Sequence, residues 1–505
     1  MMLPWGLLLQ TKSITVNSAS SIAGVAIAYF TVCAAIAVWA ARRTHTATDF
    51  FAAGRGIGLV PMAMAAMAAT LSGFIFIGGP GLLYQFGTYA LFISLSAGIT
   101  TPLSAWALAK PMRFLRETRG LITVPAAVGA RYRSPTAHGL AAVAIVIASI
   151  CYIGTNVLAL GLVVDAIFHT GLRTGIVAGA TIVLAYSATG GILAGVYTDL
   201  FQGAVKTVAS LLVFVAVLKG GGGLAGISRT ILAHEPAFLG PWGTMPPLAA
   251  LSLFLLFGVG TLGQPQVVHK YFMLRDLRQL RWYPLVMTVV LVLTLLLFFG
   301  VGLSVKAQVL SGALPVLASA EDATPTFLLH SVPTLLAAVV FSGIAAAIMG
   351  TVNAFLSIAA AAITHDLPIA LGRPLRNELL AGRLATIVVM TLATMLALQS
   401  GQLVVFLGVL GWGLFASTLV PALAIGLNWP DATRVGAITS IVVGLGSTLL
   451  FESLRHFRLY AFPAGVNASA LALVLSLLAF FAVSWLTRAQ AAGDLDDDVR
   501  LIMEQ

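Results

Sequence analysis

Charge is what this sequence has least of. Only 9% of its 505 residues are Asp, Glu, Lys or Arg, against about a quarter in ordinary soluble chains. With 59% apolar residues and a mean hydropathy of +1.01, the composition excludes a single water-facing domain and fits a polytopic membrane protein. Cysteine is nearly absent. Cys33 and Cys151 are the only two, both inside apolar runs, so no disulfide framework is implied and both read as packing residues. The eight histidines fall mainly in loops or near span ends, and neither HExxH nor GxSxG occurs. An intramembrane enzyme needs a compact metal or nucleophile–base cluster, so an enzyme is not expected. The opening MMLPWGLLLQ is too short to span and lacks the basic start and cleavage site of a signal peptide.

What is present is apolar length, in about 13 segments separated by short polar loops. A leading helix is expected over Ser21 to Ala40, then Leu59–Gly79, Thr88–Ala109, His138–Phe168, Thr174–Ala188 and Thr198–Leu218. After a Gly-rich connection, GGGGLAGISR, come Leu248–Gly263, Pro284–Leu303, Val332–Ile363, Leu384–Leu398 and Gln402–Leu427. Two more helices, Val435–Phe451 and Val466–Leu486, precede an acidic tail, DLDDDVRL, expected as a solvated cytoplasmic end. The domain reading follows: residues 1–57 lead in, 58–427 form a ten-helix core (58–219 and 248–427), 428–486 add two helices, and 487–505 are the tail. With the N-terminus outside, inside segments carry 19 Lys and Arg and outside segments 7, with Lys206 left within a helix. That asymmetry satisfies the positive-inside rule and puts the C-terminus in the cytoplasm. The net charge of +10 is therefore a topology signal and implies no nucleic acid.

Two spans are interrupted. Leu59 to Gly81, LVPMAMAAMAATLSGFIFIGGPG, has hydroxyls and a glycine at its centre, Thr70-Leu71-Ser72-Gly73, where lipid asks for branched apolar residues. The second interruption is GVGTLGQPQ, in which Gly258, Gly260, Gly263 and Pro265 crowd the end of the span that begins near Leu248. It falls five helices after the first. Paired breaks at that separation are what two inverted five-helix repeats produce, with a transport site between them. A solute is expected beside the breaks, near Thr70, Ser72, Gly73, Phe74, Gln85, Phe257 and Thr261. Only Thr70, Ser72, Gln85 and Thr261 bring polar groups, too few for the many hydroxyls of a sugar, which suits a small or partly apolar organic solute better.

Several motifs together resemble the sodium:solute symporter family, which includes proline, sialic acid and galactose symporters. They are TDFFAAGRGIG (Thr48 to Gly58), LSGF (Leu71 to Phe74), YSATGGILAGVYTDLFQ (Tyr186 to Gln202), GQPQVVHKYFMLRD (Gly263 to Asp276) and FSGIAAAIMGTVNAFLSIAAAAITHDL (Phe341 to Leu367). The resemblance implies an all-α, leucine-transporter-like fold with a 5+5 inverted repeat, in the bacterial inner membrane. It also implies sodium-coupled symport by alternating access. By the same resemblance, sodium takes the carbonyls of Ala68, Leu71 and Ala347, with hydroxyls from positions 350 and 351. Thr351 supplies one. Gly350 has none, so the sodium site is weakened, with Asn353 one turn on as a polar neighbour. Thr70 replaces the aspartate of proline symporters, and Phe257 and Thr261 replace their tryptophan and tyrosine.

Asp199 and Lys206 bear on the same region. Asp199 matches a family aspartate implicated in cation passage, and it also reads as a helix N-cap with Gln202 three residues on. Lys206 lies seven residues later on the same helix face, where an unpaired lysine costs at least about 2.5 kcal/mol. Two readings stand: its ammonium replaces sodium, with H+ as the alternative coupling ion, or it pairs structurally with Asp199 or a carbonyl. Asn156 reads as a substrate contact or as interhelical glue. A transporter-like sensor, signalling through a separate partner, is the remaining alternative.

Overall fold

A computed structural model describes residues 16–42, 59–220, 222–273, 281–400 and 404–504. The Thr48-to-Gly58 motif and Leu274 to Asp276 lie outside these residues, as do Lys12, Arg43, Arg55, Arg275 and Arg278 of the topology count. Every regular element among the described residues is helical, and 10 helical stretches are long and apolar enough to cross a membrane. The leading helix is α1 (Val16–Ala41). The first interrupted span is α2 (Leu59–Thr70), a π-helical turn over Phe74–Gly78, and α3 (Gly79–Phe86). Then follow α4 (Leu91–Arg119), α5 (Val124–Arg131), α6 (Pro135–Phe168), α7 (Leu172–Lys219) and α8 (Gly223–His234).

The second interrupted span is α9 (Pro247–Gly260), a 3-10 turn over Thr261–Gly263, and α10 (Pro265–Tyr271). The rest are α11 (Tyr283–Leu310), the short α12 (Ala323–His330), α13 (Thr334–Ala361), α14 (Glu378–Gln399), α15 (Val404–Leu419), α16 (Arg434–His456), α17 (Ala468–Leu486) and α18 (Asp497–Met503). Helix starts carry the expected chemistry. Ser134, Thr433 and Asn467 each accept a backbone N–H three residues on, which satisfies a donor the first turn leaves open.

Two expectations are corrected here. The segments Thr174–Ala188 and Thr198–Leu218 fall in one element, α7, helical throughout its 48 residues. Asp199 therefore lies inside a helix, where no amide three residues on awaits a cap, and its carboxylate faces other helices instead. The acidic tail is also only partly solvated, because it packs onto the bundle. Arg119 Nε donates to Asp498 Oδ2 at 2.7 Å, Arg133 pairs with Asp496 at 3.0 Å, and the Arg434 N–H donates to Asp494 at 2.8 Å. Val499 and Ile502 are buried, and α18 packs on α4. Arg119, Arg133 and Arg434 gather the acidic tail onto the bundle.

α7 packs against α2, α6, α11 and α13. The facing stretch of α13, Gly343 to Gly350, has five small residues, Gly343, Ala345, Ala346, Ala347 and Gly350, and small residues let helix backbones approach closely in a bundle. That closeness brings the first break within reach of α7 side chains.

Candidate functional site

The break in the first core helix is built from the residues expected to make it. The α-helical ladder ends with Leu71 N–H to the Met67 carbonyl, and a new start forms where Ile75 and Phe76 N–H both donate to the Ser72 carbonyl. Backbone groups freed there must find partners, since no water is at hand in a membrane interior. The Gly73 N–H donates to Asn156 Oδ1 at 2.9 Å, and Asn156 Nδ2 donates to the Tyr152 carbonyl at 2.8 Å. Ser72 Oγ lies 3.2 Å from the Tyr152 hydroxyl, and Thr324 Oγ1 donates to the Phe76 carbonyl at 2.7 Å. Glycine is required at 73 because a Cβ there would sit 2.7 Å from that of Ala159. Asn156 is thus the bracket of the break.

Below the break, the Lys206 ammonium donates to the Ala68 carbonyl at 3.0 Å and to the Leu71 carbonyl at 3.3 Å. Lys206 is only 1% exposed. These two carbonyls close the C-terminal end of α2, where the helix dipole is negative and a cation is favoured. Thr351 Oγ1 stands beside them, donating to Ala347 O at 2.9 Å and lying 3.3 Å from Ala68 O. Ala68, Leu71, Ala347 and Thr351 are therefore gathered in one place, with a lysine among them. Asn353 is buried two residues beyond Thr351 on the same helix.

Gly350 explains part of the arrangement. A Cβ at that position would meet Asp199 Oδ1 at 2.5 Å and Gln202 Oε1 at 2.8 Å. The oxygens of Asp199 and Gln202 therefore fill the volume that a side chain at 350 would need. Asp199 is fully buried, and its nearest cation is Lys270 of α10, at 3.7 Å from Oδ2. This ion pair links α7 to α10, the second half of the second interrupted span. Neither carboxylate oxygen has a hydrogen bond among the described residues, nor does Lys270 Nζ or Gln202 Oε1.

The second break comes at Gln264, whose backbone is extended before Pro265. Gln264 Nε2 donates to the Gly260 carbonyl at 3.1 Å, replacing part of the lost ladder. Phe74 from the first break stacks on Phe257 with ring centroids 5.6 Å apart, and Phe257 stacks on Trp412 of α15 at 5.1 Å. The two breaks thus meet across an aromatic layer, with Tyr152 beside it, tilted against Trp412 at 6.4 Å. Thr70 and Thr261 spend their hydroxyls on their own helices, on the Ala66 and Phe257 carbonyls. Gln85 lies elsewhere, in a separate cavity of about 570 Å³ lined also by Tyr84, Ser319, Glu321 and Arg455.

Sequence reasoning missed Tyr152, Trp412 and Lys270. The first two are aromatics inside apolar helices, a pattern that core packing produces everywhere. Lys270 carried a usable signal, a lysine five residues after the break-making Pro265, but it reads equally as a residue of the positive inner loop.

The comparisons agree with this architecture. The model of the sodium:solute symporter family matches residues 50–444. Similar relatives include the osmoregulated proline transporter OpuE of Bacillus subtilis, 26% identical over 92% of this chain and 94% of that one. The sodium/pantothenate symporter of Escherichia coli is 25% identical over 90% and 94%. Among solved structures, a Na+-coupled sialic acid symporter in a substrate-bound outward-open state superposes with a TM-score of 0.75 at 18% identity, covering 92% of this chain and 98% of the other. Mhp1, a nucleobase-cation-symport-1 transporter, gives 0.55 at 14% identity, over 90% of this chain and 98% of that one. The fold is all-helical and leucine-transporter-like, and the protein is integral to the plasma membrane. With its family model matched across the core, the chain belongs to the sodium:solute symporter family and is a secondary active transporter of the sodium-coupled symport class.

Proposed function

We propose that this protein carries a small organic solute across the plasma membrane by alternating access, binding it at the aromatic layer where the two broken helices meet. The observation that supports this most is the pair of breaks itself, at Ser72 and Gln264, joined by the Phe74–Phe257–Trp412 stack. Broken helices offer half-helix ends to a solute, and the aromatic faces suit a compact, partly apolar one. Ser72 and Tyr152 offer the hydroxyls nearest the stack. The N-terminus faces outside and the tail inside, on the distribution of basic residues. Proline and pantothenate, the solutes in the relatives' names, are the first to test.

Sodium is the family's coupling ion, carried as cargo and not held as a resident cofactor. The chain's own residues favour a second reading of the principal cation position. The Ala68 and Leu71 carbonyls already hold the Lys206 ammonium, and the hydroxyl that position 350 would add is missing. A cation of fixed charge on those carbonyls does what a sodium ion would do there: it joins the end of α2 to α7 and α13. In this reading sodium binds only by displacing Lys206, and transport proceeds without it.

The test is uptake of radiolabelled proline and pantothenate into proteoliposomes under separate sodium and proton gradients. Uptake that ignores sodium in the wild type supports the fixed ammonium. Sodium-stimulated, saturable uptake that survives Lys206→Ala removes it and leaves ordinary sodium symport. Uptake of neither solute nor of any other organic probe under either gradient contradicts the transport reading itself.

A further inference from the structure

Charge is rare enough in this bundle that the buried groups near the first break can be added up. α7 contributes Lys206 and Asp199, and α10 contributes Lys270; all three are at most 1% exposed. The elements packed around Lys206 bring no further acid to it among the described residues. α2 offers the Ala68 and Leu71 carbonyls, and α13 offers the Thr351 hydroxyl. From α6 come Asn156 and Tyr152, both engaged at the break, and α1 brings Tyr29 and Cys33, the latter accepting from Gln202 at 3.7 Å. The titratable groups of α11, Tyr283 and Lys306, lie toward its two ends, and Lys306 is paired with Glu235 at 2.8 Å.

Among the described residues, two buried ammonium groups therefore share one buried carboxylate, and that carboxylate lies 3.7 Å from Lys270. Asp199 acts on Lys206 only through space, and the direct contacts of Lys206 are the two carbonyls. Two of its three N–H bonds are used on them, and the third has no partner among the described residues. Buried charges are tolerated when they are matched, and one unmatched positive charge beside a solute site is best completed by the solute.

We infer that the carried solute is an organic anion, a carboxylate of net negative charge, whose charge the Lys206 ammonium balances across the break. This rests on the transport reading and deepens it. A zwitterion would leave the excess positive charge in place, because its own ammonium cancels its carboxylate. A neutral solute would do the same, and a cation would add to it.

The test is a thermal-shift screen of the purified protein in lipid nanodiscs against a library of small metabolites sorted into anions, zwitterions, neutrals and cations. Stabilising hits concentrated among monocarboxylates are expected, each losing at least tenfold in affinity in Lys206→Met and keeping most of it in Lys206→Arg. Hits drawn mainly from another class overturn the inference, as does a screen without hits. Carboxylate binding that Lys206→Met leaves unchanged overturns it too. Should Lys206→Met not fold, the matched pair of pantothenate and its neutral alcohol, panthenol, on the wild type decides: equal shifts contradict the anion. Running the screen with and without NaCl separates the questions. Sodium-enhanced carboxylate binding would remove the fixed-ammonium reading and leave the anion standing.

Discussion

At the scale of single residues, the site turns on what Gly350 allows. Its missing side chain is matched by Asp199 Oδ1 and Gln202 Oε1, so restoring a hydroxyl there adds no free ligand. Gly350→Ser forces a Cβ to within 2.5 Å of a carboxylate oxygen, and such overpacking costs about 1–3 kcal/mol. The melting temperature of the purified protein should fall, and pairing the change with Gln202→Ala, which removes the other oxygen in that space without unpairing Lys270, should recover part of the loss. A fall that the second substitution leaves untouched would mean that the clash lies elsewhere. Asn156 gives a sharper case. Asn156→Ala strips the acceptor from the buried Gly73 N–H, which costs about 1–3 kcal/mol in melting or denaturant experiments. An unchanged stability would show that the break does not depend on its bracket.

Lys206 was legible because a lysine in an apolar run is expensive, and expense demands a reason. The carbonyls it meets came from the family resemblance, since nothing in LSGF itself says where a cation sits. Asn156 was open between two roles, and its bond to Gly73 joins two helices at the break. Tyr152 and Trp412 were not legible, because an aromatic in an apolar helix has no pattern to distinguish a binding face from a packed one.

Among elements, the connection over Ala320–Asp322 and α12 is the one to test. Its residue Glu321 is buried, and Glu321 Oε1 accepts the Val405 N–H at the start of α15 at 3.1 Å. A Cβ on Gly81 of α3 would lie 2.5 Å from the Ala320 carbonyl, so the connection presses on the second half of the first broken helix as well. Burial pushes the Glu321 carboxyl up to about 7, against the pull of the α15 amides. Asp322 beside it is spent on the Ser319 N–H, and Arg455 across the cavity pairs with Glu452.

The sign follows from the raised value. The folded state holds the Glu321 proton more tightly than the unfolded chain does, so this contribution to stability is full below about pH 4.5. It is lost as pH rises toward about 7, with an upper bound of about 3 kcal/mol. Melting temperature should therefore decline between pH 5 and 7 in the wild type, and Glu321→Gln should flatten that decline. An identical slope in the variant would remove Glu321 as its source. The interrupted helices themselves were readable from glycine, proline and hydroxyl placement. The continuity of α7 was not, because Gly190-Gly191 suggests a turn and the helix runs through it.

For the whole molecule, the tail and the arginines facing it behave as one ionic assembly. Arg119 at the end of α4 meets Asp496 and Asp498, Arg133 beyond α5 meets Asp496, and Arg434 at the start of α16 meets Asp494. The tail thereby ties together the ends of three separate helices. These pairs are partly exposed, so salt screens them and each one alone adds little. Arg119→Gln should make proteolysis at the tail faster and less dependent on salt, while the wild-type tail becomes more cleavable as salt rises from about 0.05 to 0.5 M. Equal cleavage of the two at low salt would count against the assembly. The acidic composition of the tail suggested solvation. What composition omits is the set of arginines that the fold places opposite it.

The central claim is that Lys206 and sodium compete for the same two carbonyls at the first break. It is tested most directly by equilibrium binding of radioactive sodium to the purified protein, wild type and Lys206→Ala, at matched pH and ionic strength. Little saturable binding is predicted in the wild type, with an apparent affinity at least tenfold higher once the lysine side chain is removed. Saturable sodium binding of equal affinity in both proteins would contradict the claim.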